Sequence, residues 1–142
     1  MKMVLLCFFL LMTSSVEWLT SFDKAKEVAA RDSKLVLLNF SGSDWCGPCM
    51  KMKREVFESA AFLSFAEKKL VLVRADFPRL KRNHLPREQV NHNEALAEKY
   101  NPSGKFPYTL LLDAKGNVIK EWDGYTFSEP EVFMKELNDE AG

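Results

Sequence analysis

An apolar run that stops abruptly at two closely spaced cysteines restricts this chain more than any other feature. "KLVLLNF", Lys34 to Phe40, is continuous, includes a β-branched residue and is followed by Ser-Gly-Ser. A run of that length and composition predicts a central strand buried on both faces. Cys46 and Cys49 come soon after it, in "SDWCGPCMKM". From Cys46 onward "CGPCMKMKREVF" suits a helix, with Pro48 tolerated in the first turn. Cys46 therefore falls where strand gives way to helix, and the partial positive charge there favours a thiolate over a thiol. Cys46 is expected to be the more acidic, exposed nucleophile. Cys49, nearly one turn further in, is expected to be the buried resolving thiol. Gly47 adds no side chain to obstruct a substrate, and Pro48 stiffens the loop.

The flanking segments alternate between helix and strand signals. Trp18 to Ser33 predicts an amphipathic helix, capped at Thr20 or Ser21, with Phe22, Ala25, Val28 and Ala29 at helical spacing. Ser59 to Lys68 predicts a short helix with Phe62, Phe65 and Ala66 on its apolar side, and "LVLVRADF", Leu70 to Phe77, a second strand. Pro78 to Asn93 is polar, contains two prolines, and gathers Arg79, Lys81, Arg82, His84 and Arg87 against Glu88 alone. It reads as a solvated loop, with a partner-docking surface as the alternative. "EALAEKY" is helical and "NPSGK" a turn. "YTLLLDAKGNVIKEWDGY" predicts a hairpin around Lys115, Gly116 and Asn117. A last helix is expected from a cap at Ser128, with Pro130 in its first turn. The order α-β-α-β-α-β-β-α predicts an α/β fold: one mixed sheet covered by helices, over residues 16–142.

The first residues read differently. "MKMVLLCFFLLMTSS" has one charge, an apolar run from Met3 to Met12, and small polar residues after it. That is the layout of a secretory signal peptide, with cleavage expected near Ser15; the run falls short of the ~20 residues that span a bilayer. An amphipathic first helix or an uncleaved anchor are the other readings. Export would remove Cys7 and Lys2, leaving 20 − 1 = 19 basic residues against 20 acidic ones. It would also place the chain in the periplasm, where a disulfide can persist. A charge so close to zero gives no reason to expect nucleic acid as a partner. With 142 residues the chain can bury a real core without disulfide staples.

Cys46 and Cys49 could be a redox couple, part of a metal site, or structural. A structural bridge this short would close only a tiny loop and add little stability. Zinc needs four ligands, and His84 and His92 lie too far apart for the usual pair. A two-cysteine copper carrier and an inert binding module stay open beside the redox couple. Trp45 is expected to lie partly exposed beside the thiolate, whereas Trp18 and Trp122 read as packing residues. His84 and His92 read as solvated loop histidines, and Met50 and Met52 as helix packing.

"WCGPC" after an apolar strand, with Lys51 and Lys53 in the helix that follows, resembles the active site of thioredoxin-fold proteins. The resemblance runs from about Val16 to Asp139 and is nearest to exported thioredoxin-like disulfide reductases and isomerases. It implies a thioredoxin fold, and a cis-proline at Pro107 opposite the dithiol. It implies that the backbone of Phe106 pairs with a substrate chain, so that Trp45, Gly47, Pro48, Phe106 and Pro107 would border the substrate. Gly47-Pro48 is similar to the reducing members, which makes a reductase the leading expectation and an isomerase or oxidase the alternative. Protein disulfides would be the substrates and a dithiol protein, membrane-bound, the electron donor. Neither a metal nor an organic cofactor is expected, and a monomer suffices. Two departures stand out. The buried Asp of thioredoxins falls on Asn39, and its lysine partner on Leu72, leaving water or Asp44 as candidate bases for Cys49. Tyr108 stands where thioredoxins often have threonine.

Overall fold

In the computed structural model, which describes residues 15–126 and 130–142, five strands form one mixed sheet. The strands are β1 (Trp18–Leu19), β2 (Leu35–Ser41), β3 (Leu70–Asp76), β4 (Tyr108–Leu112) and β5 (Val118–Asp123), in spatial order β1-β3-β2-β4-β5. β3 runs parallel to both β1 and β2, while β4 runs antiparallel to β2 and β5. The α-helices are α1 (Phe22–Asp32), α2 (Gly47–Met52), α3 (Ala60–Lys69), α4 (Arg87–Tyr100) and α5 (Pro130–Ala141). The expected α/β sandwich is therefore present. The signal segment, apart from Ser15, and the Ser128 cap lie outside the described residues.

Alternation along the central strands explains the two layers. Val36, Leu38 and Phe40 point to one face, where they pack with Phe22, Ala25 and Ala29 of α1 and Leu96 of α4. Leu37, Leu72 and Leu111 point to the other, against Met52, Phe62, Phe133 and Leu137 of α2, α3 and α5. Because β2 and β4 are covered on both faces, they read as unbroken apolar runs. α2 continues through a wide turn, Lys53–Phe57, that buries Val56 and Phe57. At the hairpin, the Asp113 carboxylate accepts from the backbone N–H groups of Lys115 and Asn117, and Gly116 takes φ +88°, a conformation other residues resist.

Two expected boundaries move. Trp18 and Leu19 are not the start of α1 but a short strand in register with Leu72 and Val73. Ser21 is the N-cap: its backbone is extended, and its hydroxyl accepts from the Lys24 N–H. Trp18 instead packs edge-on to Phe57, with ring centroids 5.0 Å apart. The segment 78–93 has only a single 3₁₀ turn, Lys81–Asn83, up to Pro86, after which α4 begins at Arg87. α4 buries little, only Asn93 and Leu96 fully, and its Pro86 cap makes no side-chain bond, so the sequence carries a weak helix signal there. His92 is consequently not a loop histidine. Its Nε2 accepts the Phe22 N–H at 3.1 Å, which joins α4 to the start of α1.

Candidate active site

Cys46 is the N-cap of α2, with an extended backbone (φ −93°, ψ 102°), because β2 ends at Ser41 and the chain turns tightly through residues 42–45. That turn is closed by the N–H groups of Trp45 and Cys46, which both donate to the Gly42 carbonyl. Glycine is required there: a Cβ would run into the Trp45 indole, which lies directly against it. Cys46 and Cys49 are joined as a disulfide, with Cα atoms 5.2 Å apart. The Cys49 N–H donates to Cys46 Sγ at 3.3 Å, so a donor already points at the sulfur that would carry charge after reduction. The expectation of an exposed Cys46 is corrected here, since both cysteines are only 5% exposed. Access comes from Gly47 and Pro48, both exposed, with open space where a Gly47 side chain would stand.

Next to Trp45, the Phe106–Pro107 peptide bond is cis. Pro107 is buried and Phe106 half-buried, its ring set edge-on to Trp45 (5.3 Å) and to Phe77 (5.5 Å). Trp45 is half-buried, and its indole N–H donates to the Phe77 carbonyl at 2.7 Å. The Arg79 guanidinium lies 3.7 Å from the centroid of the same indole. Trp45 and Phe106 therefore pack together beside Cys46 in the chain, with Pro107 following Phe106 and with Gly47 and Pro48 exposed. Phe77 and Arg79 join them without having been singled out by the sequence as site residues.

Two carboxylates hold the surrounding loops. Asp44 accepts from the backbone N–H groups of Arg79 and Leu80, both at 2.9 Å, and from the Asn83 amide at 3.0 Å. These bonds, that from Arg79 foremost, hold its carboxyl below the usual carboxylate range, which makes Asp44 a poor base for Cys49. Asp76, at the end of β3, accepts from the Ser43 N–H at 2.9 Å.

Under the dithiol, β2 and β3 pair in the register Leu37↔Leu72 and Asn39↔Arg74, which sets Arg74 directly beside Asn39. Asn39 is buried and donates to Thr109 Oγ1 on β4 at 3.0 Å. Arg74 shares with Cys49, Ser41 and Lys53 the wall of a cavity of about 250 Å³. Its guanidinium stacks 4.0 Å from the Trp18 ring centroid, and its Nε is buried with no hydrogen-bond partner among the described residues. Burial lowers its pKa from the usual arginine value. An arginine at an inward-facing position of "LVLVRADF" was the signal for it. The dithiol thus stands above a partly desolvated cation, with no carboxylate in the place of Asn39.

The sequence matches the thioredoxin-like family over residues 17–114, and the chain belongs to that family. Over 106 residues it is 37% identical to the disulfide bond reductase DsbH of Chlamydia pneumoniae, covering 75% of this chain and 61% of that protein. The thioredoxin-related protein DsbJ of the same organism is 32% identical over 107 residues, 75% of this chain and 30% of the relative. The chain therefore spans less than two thirds of the length of either. The solved structure of a DsbH oxidoreductase superposes with a TM-score of 0.79 at 31% identity, covering 89% of this chain and 84% of that one. The fold is that of thioredoxin, and the chain carries the CxxC pair of the family's disulfide oxidoreductases.

Proposed function

We propose that the protein reduces disulfide bonds of other proteins outside the cytoplasm, in the periplasm, cycling Cys46 and Cys49 between dithiol and disulfide. The observation that carries this reading is the Cys46–Cys49 pair at the start of α2, with the Cys49 N–H on Cys46 Sγ and a cis bond before Pro107. In the reduced protein the Cys46 thiolate attacks one sulfur of a substrate disulfide. A mixed disulfide forms, and the first substrate sulfur leaves and takes up a proton. Cys49 then loses its proton and attacks Cys46 Sγ, which releases the second substrate thiol and leaves the Cys46–Cys49 disulfide. Two electrons pass to the substrate. A second dithiol protein, membrane-bound, returns them; no metal or organic cofactor takes part.

Trp45, Phe106 and Pro107 form the wall against which the substrate chain lies, with the Phe106 backbone as its pairing edge. The name of the Chlamydia pneumoniae relative, a disulfide bond reductase, supports the reductive direction. Location in the periplasm rests on the export signal expected at the N-terminus. Reduction of insulin disulfides driven by dithiothreitol tests the reading. The wild type accelerates it, Cys46→Ser does not, and Cys49→Ser accumulates a mixed disulfide through Cys46. Full activity in Cys46→Ser overturns the mechanism, and the absence of any reversible two-electron couple would leave a peptide- or copper-binding module instead.

A further inference from the structure

The dithiol is bordered by a ledge whose charge the redox chemistry does not use. Arg79, Lys81, Arg82 and Arg87 are exposed, and none lies within ion-pair distance of a carboxylate among the described residues. The chain as a whole is balanced at 20 basic and 20 acidic residues, so this concentration is local. The ledge is also fixed in place. Asp44 holds the backbone of Arg79 and Leu80 from below, and the Arg79 guanidinium rests on Trp45, next to Cys46 in sequence. Beside it a cavity of about 340 Å³ opens between the apolar side chains of Phe77, Pro78, Leu85 and Val90, with Asp76, His84, Asn93 and Glu94 completing its wall. Leu80 and Val90 remain 40% and 36% exposed at this place.

We propose that residues 79–87 are the docking surface for an acidic segment of the protein whose disulfide Cys46 attacks. The segment carries an apolar side chain for the cavity and carboxylates on either side of it. This rests on the reductase reading and adds the substrate class to it. Charge complementarity argues for this occupant. A fixed row of unpaired cations raises the local concentration of acidic chains and speeds their encounter with the adjacent dithiol, while basic chains are turned away. A ledge tied down before binding also spares the complex the entropy of ordering a loop.

The test uses two synthetic peptides that differ only in having Glu or Lys around a single disulfide, with uncharged hydroxyethyl disulfide as reference. The wild type is expected to show a kcat/KM about tenfold higher for the Glu peptide, carried in KM, with the preference shrinking as salt rises. Lys81→Glu with Arg82→Glu reverses the preference, Lys81→Gln with Arg82→Gln removes it, and both leave hydroxyethyl disulfide reduction unchanged. Equal preference in wild type and variants overturns the proposal. Binding of a disulfide-free Glu peptide to the oxidised protein, followed by fluorescence anisotropy, separates the two claims. If hydroxyethyl disulfide is not reduced but the variants lose peptide binding, the reductase reading falls and the ledge stands. If wild type and variants bind the peptide alike, the ledge falls.

Discussion

On its inner side the Cys46–Cys49 pair adjoins the ends of β2 and β3, with Cys49 sharing a cavity wall with Ser41 and Arg74; on its outer side it is bordered by the loop that runs from Asp76 to Asn83. The inner side is made of strands buried on both faces, with Asn39 and Thr109 bonded across the sheet and Arg74 beside them. The outer side is loop backbone held by hydrogen bonds to the side chains of Asp44 and Trp45, while Asp76 in turn accepts from the Ser43 N–H of the cysteine loop. Packing therefore positions the dithiol from below, and a few polar contacts position what meets it from outside. The inner side is expected to set how stable and how reducing the couple is. The outer side is expected to set which chains reach it.

Four substitutions can break or sharpen that division. Met52→Ala, at a fully buried side chain in the turn just after Cys49, should cost roughly 2–5 kcal/mol of global stability, read by denaturant unfolding. A loss well below that would mean the inner side is loosely packed. Arg74→Met should act on the couple itself. A cation near the dithiol stabilises the thiolate of the reduced state, so removing it should make the potential more negative, by about 30 mV for a tenfold change in equilibrium constant. An unchanged potential would show that the charge of Arg74 does not reach the sulfurs.

Asp44→Ala should leave the global unfolding midpoint nearly in place while speeding hydrogen exchange at the Arg79 and Leu80 amides. In the wild type the same release should come with acid. Because the folded pKa of Asp44 is depressed, its contribution is present above the ordinary carboxylate range and is lost as pH falls through the lower folded value. Protected amides in Asp44→Ala would mean that packing, not this carboxylate, holds the loop. The smallest effect is expected at Tyr108, whose pKa is pushed up to about 12 by burial and then by its hydrogen bond to Glu121. The folded state keeps a proton that the unfolded chain releases near pH ~10, so stability should fall as pH climbs from there toward the folded value. Tyr108→Phe should lower that slope, leaving the part due to Tyr125, which has the same sign. An unaltered slope would contradict the assignment.

What the sequence revealed follows the same division. "KLVLLNF", "LVLVRADF" and "YTLLLD" declare buried strands because each is apolar on both faces, and the dithiol sits at the end of the first of them. Lys115, Gly116 and Asn117 mark the hairpin with equal clarity, and the structure adds the Asp113 carboxylate that accepts from the Asn117 N–H. Register was harder to read. Where β3 begins to pair with β2 depends on Leu35 meeting Leu70, a tertiary choice, and that choice brings Arg74 to Asn39. Trp18 and Leu19 gain their strand only from β3, a partner far along the chain. The outer side was least legible. Its helix α4 turns a mostly polar surface outward, and His92 and Asn93 do their bonding to Phe22 and Asp76 of other elements. Asp44 and Trp45, read as neighbours of Cys46, also fasten the basic segment to the active-site loop.

The most direct test of the account is the reduction potential of the Cys46–Cys49 couple, measured by equilibration against glutathione buffers. A dithiol that reduces protein disulfides and is recharged by another dithiol protein should lie near the reducing end of the scale, at about −270 mV. A value near the oxidising end, about −120 mV, would contradict it, because such a couple donates its disulfide and is not a reductase.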